Sequence, residues 1–182
     1  MKKVIITMGV PGSGKTTLMK AFVDRLKYAE KYVYISPDEI RKEKYGNEPF
    51  DASKNPEVWI VAHERVADAL RNGRSVIFDA TFAKVKQRRE FIAFVRTQGV
   101  EKIEGVFVDV PLELALGRNK SRAEHGEKLV DEKAIIGMHR QLFENEPGTH
   151  DGFDAIFQVG ADGQFIQIDL QREGNYLTKK FR

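Results

Sequence analysis

The chain contains no cysteine in its 182 residues. That excludes disulfides, thiolate metal sites and a cysteine nucleophile, and it fits a reducing compartment. No apolar run is long enough to cross a bilayer. The start, Met1-Lys2-Lys3 before an apolar stretch, looks like a signal peptide only superficially, because Gly9 ends that stretch well short of an h-region. A cytoplasmic location and no membrane partner are therefore expected. Internal repeats, low-complexity tracts and the guanine-reading pattern N-K-x-D are also missing. His63 and His139 stand apart, without metal-ligand spacing. What is present is ordinary for a globular domain: 41% hydrophobic and 31% charged residues. The net charge of +3 permits an anionic partner without requiring one. Length and composition predict one domain with one core over residues 1–182.

The most informative stretch is Gly9-Val10-Pro11-Gly12-Ser13-Gly14-Lys15-Thr16, a full match to G-x-x-x-x-G-K-[ST]. It follows the apolar run Val4–Met8 and opens a helix-like run, which is the strand, turn and helix context the motif needs. Glycines let backbone approach a phosphate, and successive N–H groups at a helix N-terminus form an anion nest. Gly12, Ser13, Gly14, Lys15, Thr16 and Thr17 are the expected nucleotide-binding residues. Lys15 would reach the β- and γ-phosphates, and the Thr16 hydroxyl would sit on Mg²⁺.

Strands alternate with helices along the rest of the chain, which predicts a parallel sheet covered by helices. Strands are expected at Val4–Met8, Tyr32–Ile35, Ser75–Asp79, Ile103–Asp109 and Asp154–Val159. Helices are expected at Lys15–Lys27, Pro37–Tyr45, Glu57–Asn72, Lys84–Gln98, Leu112–Ser121 and Asp131–Glu144. Gly46–Pro56 reads as loop and Arg122–Val130 as a mobile lid. Phe165–Leu170 reads as an antiparallel edge strand, and Gln171–Arg182 as a polar, frayed tail.

Phosphoryl transfer needs a metal anchor, positive charge on the transferring group, and an orienting base. Asp79 ends an apolar strand, where a carboxylate in an open α/β sheet lies beside the phosphate loop and can hold Mg²⁺; the alternative is a cap on the next turn. Asp38 lies just past the second strand. Ser36, Pro37 and Glu39 read as a capping box, which leaves Asp38 and Arg41 on one helix face. There a carboxylate can orient an acceptor hydroxyl and a guanidinium can hold an acceptor phosphate. Arg118, Lys120, Arg122 and Lys128 are the cationic candidates, with Arg118 and Arg122 four apart and Arg122 at the entrance to the lid. The alternative for that run is a solvated charged face. Arg88 and Arg89 are further candidates for the acceptor, with solvent exposure as the default. Trp59, Tyr32 and Tyr34 offer surfaces for a base, although core or rim packing is the commoner use of such residues.

The ordered set G-V-P-G-S-G-K-T, S-P-D-E-I-R, V-I-F-D-A-T and V-D-V-P-L-E-L-A-L-G-R-N-K-S-R resembles the kinase domain of phage-type polynucleotide 5′-hydroxyl kinases, from about Lys2 to Asn145. The resemblance implies a P-loop kinase fold and an ATP- and Mg²⁺-dependent enzyme whose acceptor is a hydroxyl on DNA or RNA, most simply the 5′-OH. It implies Asp38 as general base with Lys15 and Arg122 as catalytic partners. Arg41 would grip the acceptor phosphate, Arg118 would support Arg122, and Thr16 and Asp79 would serve the metal. This sequence departs from the family in placing Ser36-Pro37 before the catalytic Asp, and it carries no D-x-D-x-T phosphatase signature. Two other readings stay open: a kinase of the same build with another hydroxyl acceptor (a modified base, an aminoacyl-tRNA or a metabolite), and a nucleotide-dependent switch without an acceptor.

Overall fold

A computed structural model describes residues 2–25, 32–46, 48, 50–126, 129–169 and 177–180. Its strands are β1 (Lys3–Met8), β2 (Tyr32–Ile35), β3 (Ser75–Asp79), β4 (Lys102–Val108), β5 (Ala155–Val159), β6 (Phe165–Asp169) and β7 (Leu177–Lys180). Its α-helices are α1 (Lys15–Arg25), α2 (Pro37–Tyr45), α3 (Asn55–Arg71), α4 (Val85–Thr97), α5 (Leu112–Glu124) and α6 (Glu132–Glu144). One sheet carries all seven strands in the order β2-β3-β1-β4-β5-β6-β7. The pairings from β2 across to β5 are parallel, as the alternating pattern predicts.

The central strands are apolar because helices cover both faces. All of β3 is buried, and all of β4 beyond Lys102. The chain runs from β1 out to β2, returns to β3 beside β1, and then crosses to β4 on the other side of β1. The strand order therefore reverses around β1, and ligands of open α/β sheets bind outside the carboxyl ends of strands at such a point. Register sets the site as well: Thr7 of β1 lies opposite Asp79 of β3.

The C-terminal segment differs from the expectation of a frayed tail. Residues 177–180 form β7, antiparallel to β6 from Asp169↔Leu177 to Ile166↔Lys180. A polar strand on a sheet edge gains its backbone hydrogen bonds without an apolar face, so hydrophobic periodicity gives no sign of it. Leu170, residues 171–176 and the last two residues lie outside the described residues, as do Leu26 and Lys27 at the expected end of the first helix.

Helix boundaries also shift. α3 starts at Asn55 rather than Glu57, because Pro56 is tolerated in a first turn. A 3₁₀ turn, Ala52–Lys54, occupies part of the expected loop, with Asp51 accepting from the Ser53 amide at 2.9 Å. α5 continues past Ser121 to Glu124, since Arg122, Ala123 and Glu124 are good helix formers, and the chain turns only near Gly126 at φ +80°. The capping box expected at α2 does not form: Ser36 is the N-cap residue, but its side chain makes no cap hydrogen bond. Glu39 instead faces Lys20 at 3.4 Å.

The packing decides two site residues. Trp59 takes the core role that is the commoner use of such a ring, rather than offering a surface for a base. Its ring packs with Phe78, Phe82 and Phe91, with centroids 5.7, 5.7 and 6.4 Å away, between α3, β3 and α4. His63 joins the same cluster, edge-on to Phe94 at 4.5 Å. Arg88 does not bind an acceptor: its side chain is fully buried. Nε donates to Asp151 Oδ2 at 2.6 Å, Nη1 to the Phe82 and Ala83 carbonyls, and Nη2 to the Asn145 carbonyl at 2.8 Å. A guanidinium that leaves water must spend its donors internally, and Arg88 ties α4, the end of α6 and the loop after β3 into one block.

Candidate active site

The phosphate loop joins β1 to α1 and is shaped by close approach. Gly9, Gly12 and Gly14 have φ of +142°, +82° and +97°, a region side chains disfavour. A Cβ on Gly12 would lie 2.2 Å from the Ala115 carbonyl oxygen of α5, and one on Gly9 2.6 Å from that of Val108 at the end of β4. The loop therefore needs glycine against its own scaffold as well as for a phosphate. Gly9 N donates to the Thr81 carbonyl at 3.1 Å, which ties the loop to the segment after β3. Lys15 is buried, and its Nζ donates to the Val10 carbonyl at 2.9 Å, folding the ammonium back across the loop.

Asp79 is the polar hub below the loop. Its Oδ1 accepts from Thr7 Oγ1 at 2.7 Å; its Oδ2 accepts from Thr16 Oγ1 at 2.7 Å and from the Tyr34 hydroxyl. Burial raises the Tyr34 pKa, and the Asp79 charge raises it further, so the phenol stays protonated and donating. Sequence reading did not bring Thr7 or Tyr34 to this carboxylate. Both look like ordinary strand residues in sequence, and only the β1–β3 and β2–β3 registers bring them to Asp79. The hydroxyl of Thr16 and the carboxylate of Asp79 make a hard-oxygen pair suited to Mg²⁺, which binds through one or two protein oxygens plus substrate phosphates. Among the described residues no group of three or more His, Asp or Glu forms a metal cluster, so the pair would work together with phosphate oxygens.

Asp38 and Arg41 leave the end of β2 on the first turns of α2. Asp38 is 93% exposed and accepts from Arg41 Nη1 at 2.5 Å. Arg41 is much less exposed; Nη2 donates to Asn55 Oδ1 at 2.6 Å, and Nε is buried without a hydrogen-bond partner. Asn55, the first residue of α3, is another residue that sequence reading missed, because it falls within the stretch Gly46–Pro56 that reads as loop.

On the other side, Arg118 Nη1 donates to the Ser13 carbonyl at 3.1 Å, so α5 grips the phosphate loop directly. Arg122 lies exposed one turn on. Asn119, between them, is buried and clasps Val130 at both backbone groups, donating to its carbonyl at 2.8 Å and accepting from its amide at 3.1 Å. That fixes the far end of the expected lid to α5. Glu127 and Lys128 of the lid lie outside the described residues. Lys120 turns away to Glu132 of α6, 3.1 Å distant.

Lys15 gathers these groups electrostatically. Burial lowers its pKa to about 8; the carboxylates of Asp79 and Asp38 oppose that fall, and the guanidinium of Arg122 adds to it. The charges of Asp38 and Arg122 thus both influence the ammonium at the floor of the loop.

A glycine loop on a central parallel strand, a buried lysine closing it and a threonine hydroxyl tied to a strand-end carboxylate define a P-loop nucleotide-binding domain with a kinase-like fold. Residues 4–144 match the AAA domain family, and the chain belongs to that family. No curated protein matches it in sequence. It is similar in fold to a chain of the Pnkp1/Rnl/Hen1 RNA repair complex, with 22% identity and a TM-score of 0.70; the match covers 95% of this chain and 50% of that one. The chain thus spans about half the length of that relative. A structure of the PezAT toxin-antitoxin system of Streptococcus pneumoniae aligns with 17% identity and a TM-score of 0.63, over 91% of this chain and 69% of that one. The Deinococcus radiodurans tunicamycin resistance protein aligns with 16% identity and a TM-score of 0.55, over 79% and 81%. Among the described residues no helix is long and apolar enough to cross a membrane.

Proposed function

We propose that the chain is an ATP- and Mg²⁺-dependent kinase that transfers the γ-phosphoryl group to a hydroxyl of a nucleic acid, most simply the 5′-OH of a DNA or RNA strand. The observation that supports this reading is the Asp38–Arg41 pair just past the end of β2, together with the influence of Asp38 and Arg122 on Lys15. A nucleotide switch needs no exposed carboxylate there, whereas an acceptor hydroxyl does.

In this reading the loop amides, Lys15 and Arg118 hold the triphosphate. Thr16 and Asp79 hold Mg²⁺, which neutralises charge on the β- and γ-phosphates when bound. Arg41 holds the acceptor's phosphate and sets its hydroxyl at Asp38. Asp38 takes the hydroxyl proton as the oxygen attacks the γ-phosphorus, and the bond to the β–γ bridging oxygen breaks in line, releasing ADP. Arg122 offsets charge on the transferring group and, with the lid, excludes water.

The test is incubation with labelled ATP and a panel of 5′-OH oligonucleotides of DNA and RNA, duplexes with hydroxylated bases, aminoacyl-tRNA and small alcohols. Label on the 5′ end of oligonucleotides is the expected result. Label only on a small alcohol, on aminoacyl-tRNA or on a modified base would move the acceptor to that class. Phosphate release independent of every acceptor would replace the kinase with a nucleotide switch.

A further inference from the structure

Phe50 is a large apolar side chain left 52% exposed, on the connection between α2 and α3. Single exposed apolar side chains are ordinary on a protein surface, so what sets Phe50 apart is what lies beside it. Its ring lies beside Arg41, with the guanidinium carbon 5.2 Å from the ring centroid. The same guanidinium bonds Asp38 at 2.5 Å and Asn55 at 2.6 Å, and its Nε is buried with no hydrogen-bond partner. Ring and carboxylate thus both meet the one guanidinium of Arg41, which links the three groups in series at the start of α2.

That series has the layout of a single nucleoside. A furanose carries its 5′-hydroxymethyl group and its base on the same face, one sugar apart, with the 3′-phosphate projecting to the side. We propose that Phe50 is a stacking platform for the terminal nucleobase of the acceptor, an extension that rests on the nucleic-acid kinase reading above. With the 5′-oxygen at Asp38 and the adjoining phosphate on Arg41, the base falls back across the sugar onto the phenyl ring. Stacking accepts any base, because each has a π-face, so Phe50 requires a base without choosing strongly among the four. The cation–π contact with Arg41 holds the ring and the phosphate-binding group in fixed relation. A metabolite acceptor has no use for such a ring beside its phosphate site.

The test compares kcat/KM on a 5′-OH oligonucleotide and on the same strand whose first residue is an abasic deoxyribose with its 5′-OH and 3′-phosphate intact. The wild type is expected to favour the base-bearing end about 10-fold, within the range for stacking of one base on an aromatic ring. Phe50→Ala should fall to the abasic rate on the normal strand and change little on the abasic one. Phe50→Trp should keep the preference. Equal wild-type rates on the two strands overturn the platform while leaving the kinase intact. So does a Phe50→Ala variant that keeps the preference, or one that slows both strands alike, since the ring would then only steady Arg41. Failure of the wild type to phosphorylate any oligonucleotide overturns the kinase reading and the platform together.

Discussion

Thr16 donates to Asp79 Oδ2 at 2.7 Å, a hydrogen bond across 63 positions of chain that joins the phosphate loop to the end of β3. Asp79 takes two further donors, Thr7 and Tyr34, on the same carboxylate. Asp79→Asn places an amide N–H where one of those donors points. Stability should fall by about 1–3 kcal/mol, and the Mg²⁺-dependent part of nucleotide affinity by about 10–100-fold. Denaturant melts and nucleotide titrations with and without Mg²⁺ measure both. Unchanged Mg²⁺ dependence with lower stability would make Asp79 a structural acceptor only.

Lys15 should make nucleotide binding depend on pH. Burial lowers its pKa from 10.5 to about 8 in the free protein. The cation that attracts triphosphate is present below that value, so affinity should decline as pH rises through it. For stability the sign is the reverse. The unfolded lysine holds its proton up to about 10.5 while the folded one releases it near 8, so this group adds stability as pH rises between them. Lys15→Met should bind weakly with a flatter profile. A wild-type affinity that stays level from about pH 7 to 9 would contradict the shift.

Asp38 and Arg122 should act on turnover rather than on folding, because both are exposed. Asp38→Ala is expected to slow acceptor phosphorylation about 10²–10⁴-fold with nucleotide affinity and melting temperature retained. Near-full activity would reduce Asp38 to a helix N-terminal acid. Arg122→Ala should slow turnover about 10²-fold or more. A lowered melting temperature with unchanged specific activity would make it structural.

Arg88 should behave in the opposite way. Removing it leaves the buried Asp151 carboxylate with only the exposed Arg89, 3.4 Å away, as its remaining guanidinium, so Arg88→Ala is expected to cost about 3–5 kcal/mol. Arg88→Met combined with Asp151→Leu removes both charges and should recover much of that loss in urea unfolding. A double variant as unstable as Arg88→Ala would show that the carbonyl contacts of Arg88, rather than the charge pair, hold the block together.

The parallel half of the sheet and the phosphate loop were legible because each is written locally. Buried strands read as apolar runs, and Gly9–Thr16 encodes its own turn, nest and helix start. Boundaries drifted where a local signal has two readings, as with Pro56 before α3 and the helix-forming residues after Ser121. The strand β7 gave no signal, since edge pairing draws on backbone groups that every residue carries.

The sequence alone determined the nucleotide loop and the order of strands and helices through β6; it singled out Asp38, Arg41 and Asp79 by their closeness to a strand end, and Arg122 by its place where a helix passes into the expected lid. Tertiary structure alone decided which polar side chains meet. Strand register brought Thr7 and Tyr34 to Asp79, helix packing put Arg118 on Ser13, and burial turned Arg88 from a candidate ligand into a structural clasp. Spacing along a chain fixes which face a residue occupies. Whether that face meets water, phosphate or another carboxylate depends on residues distant in sequence.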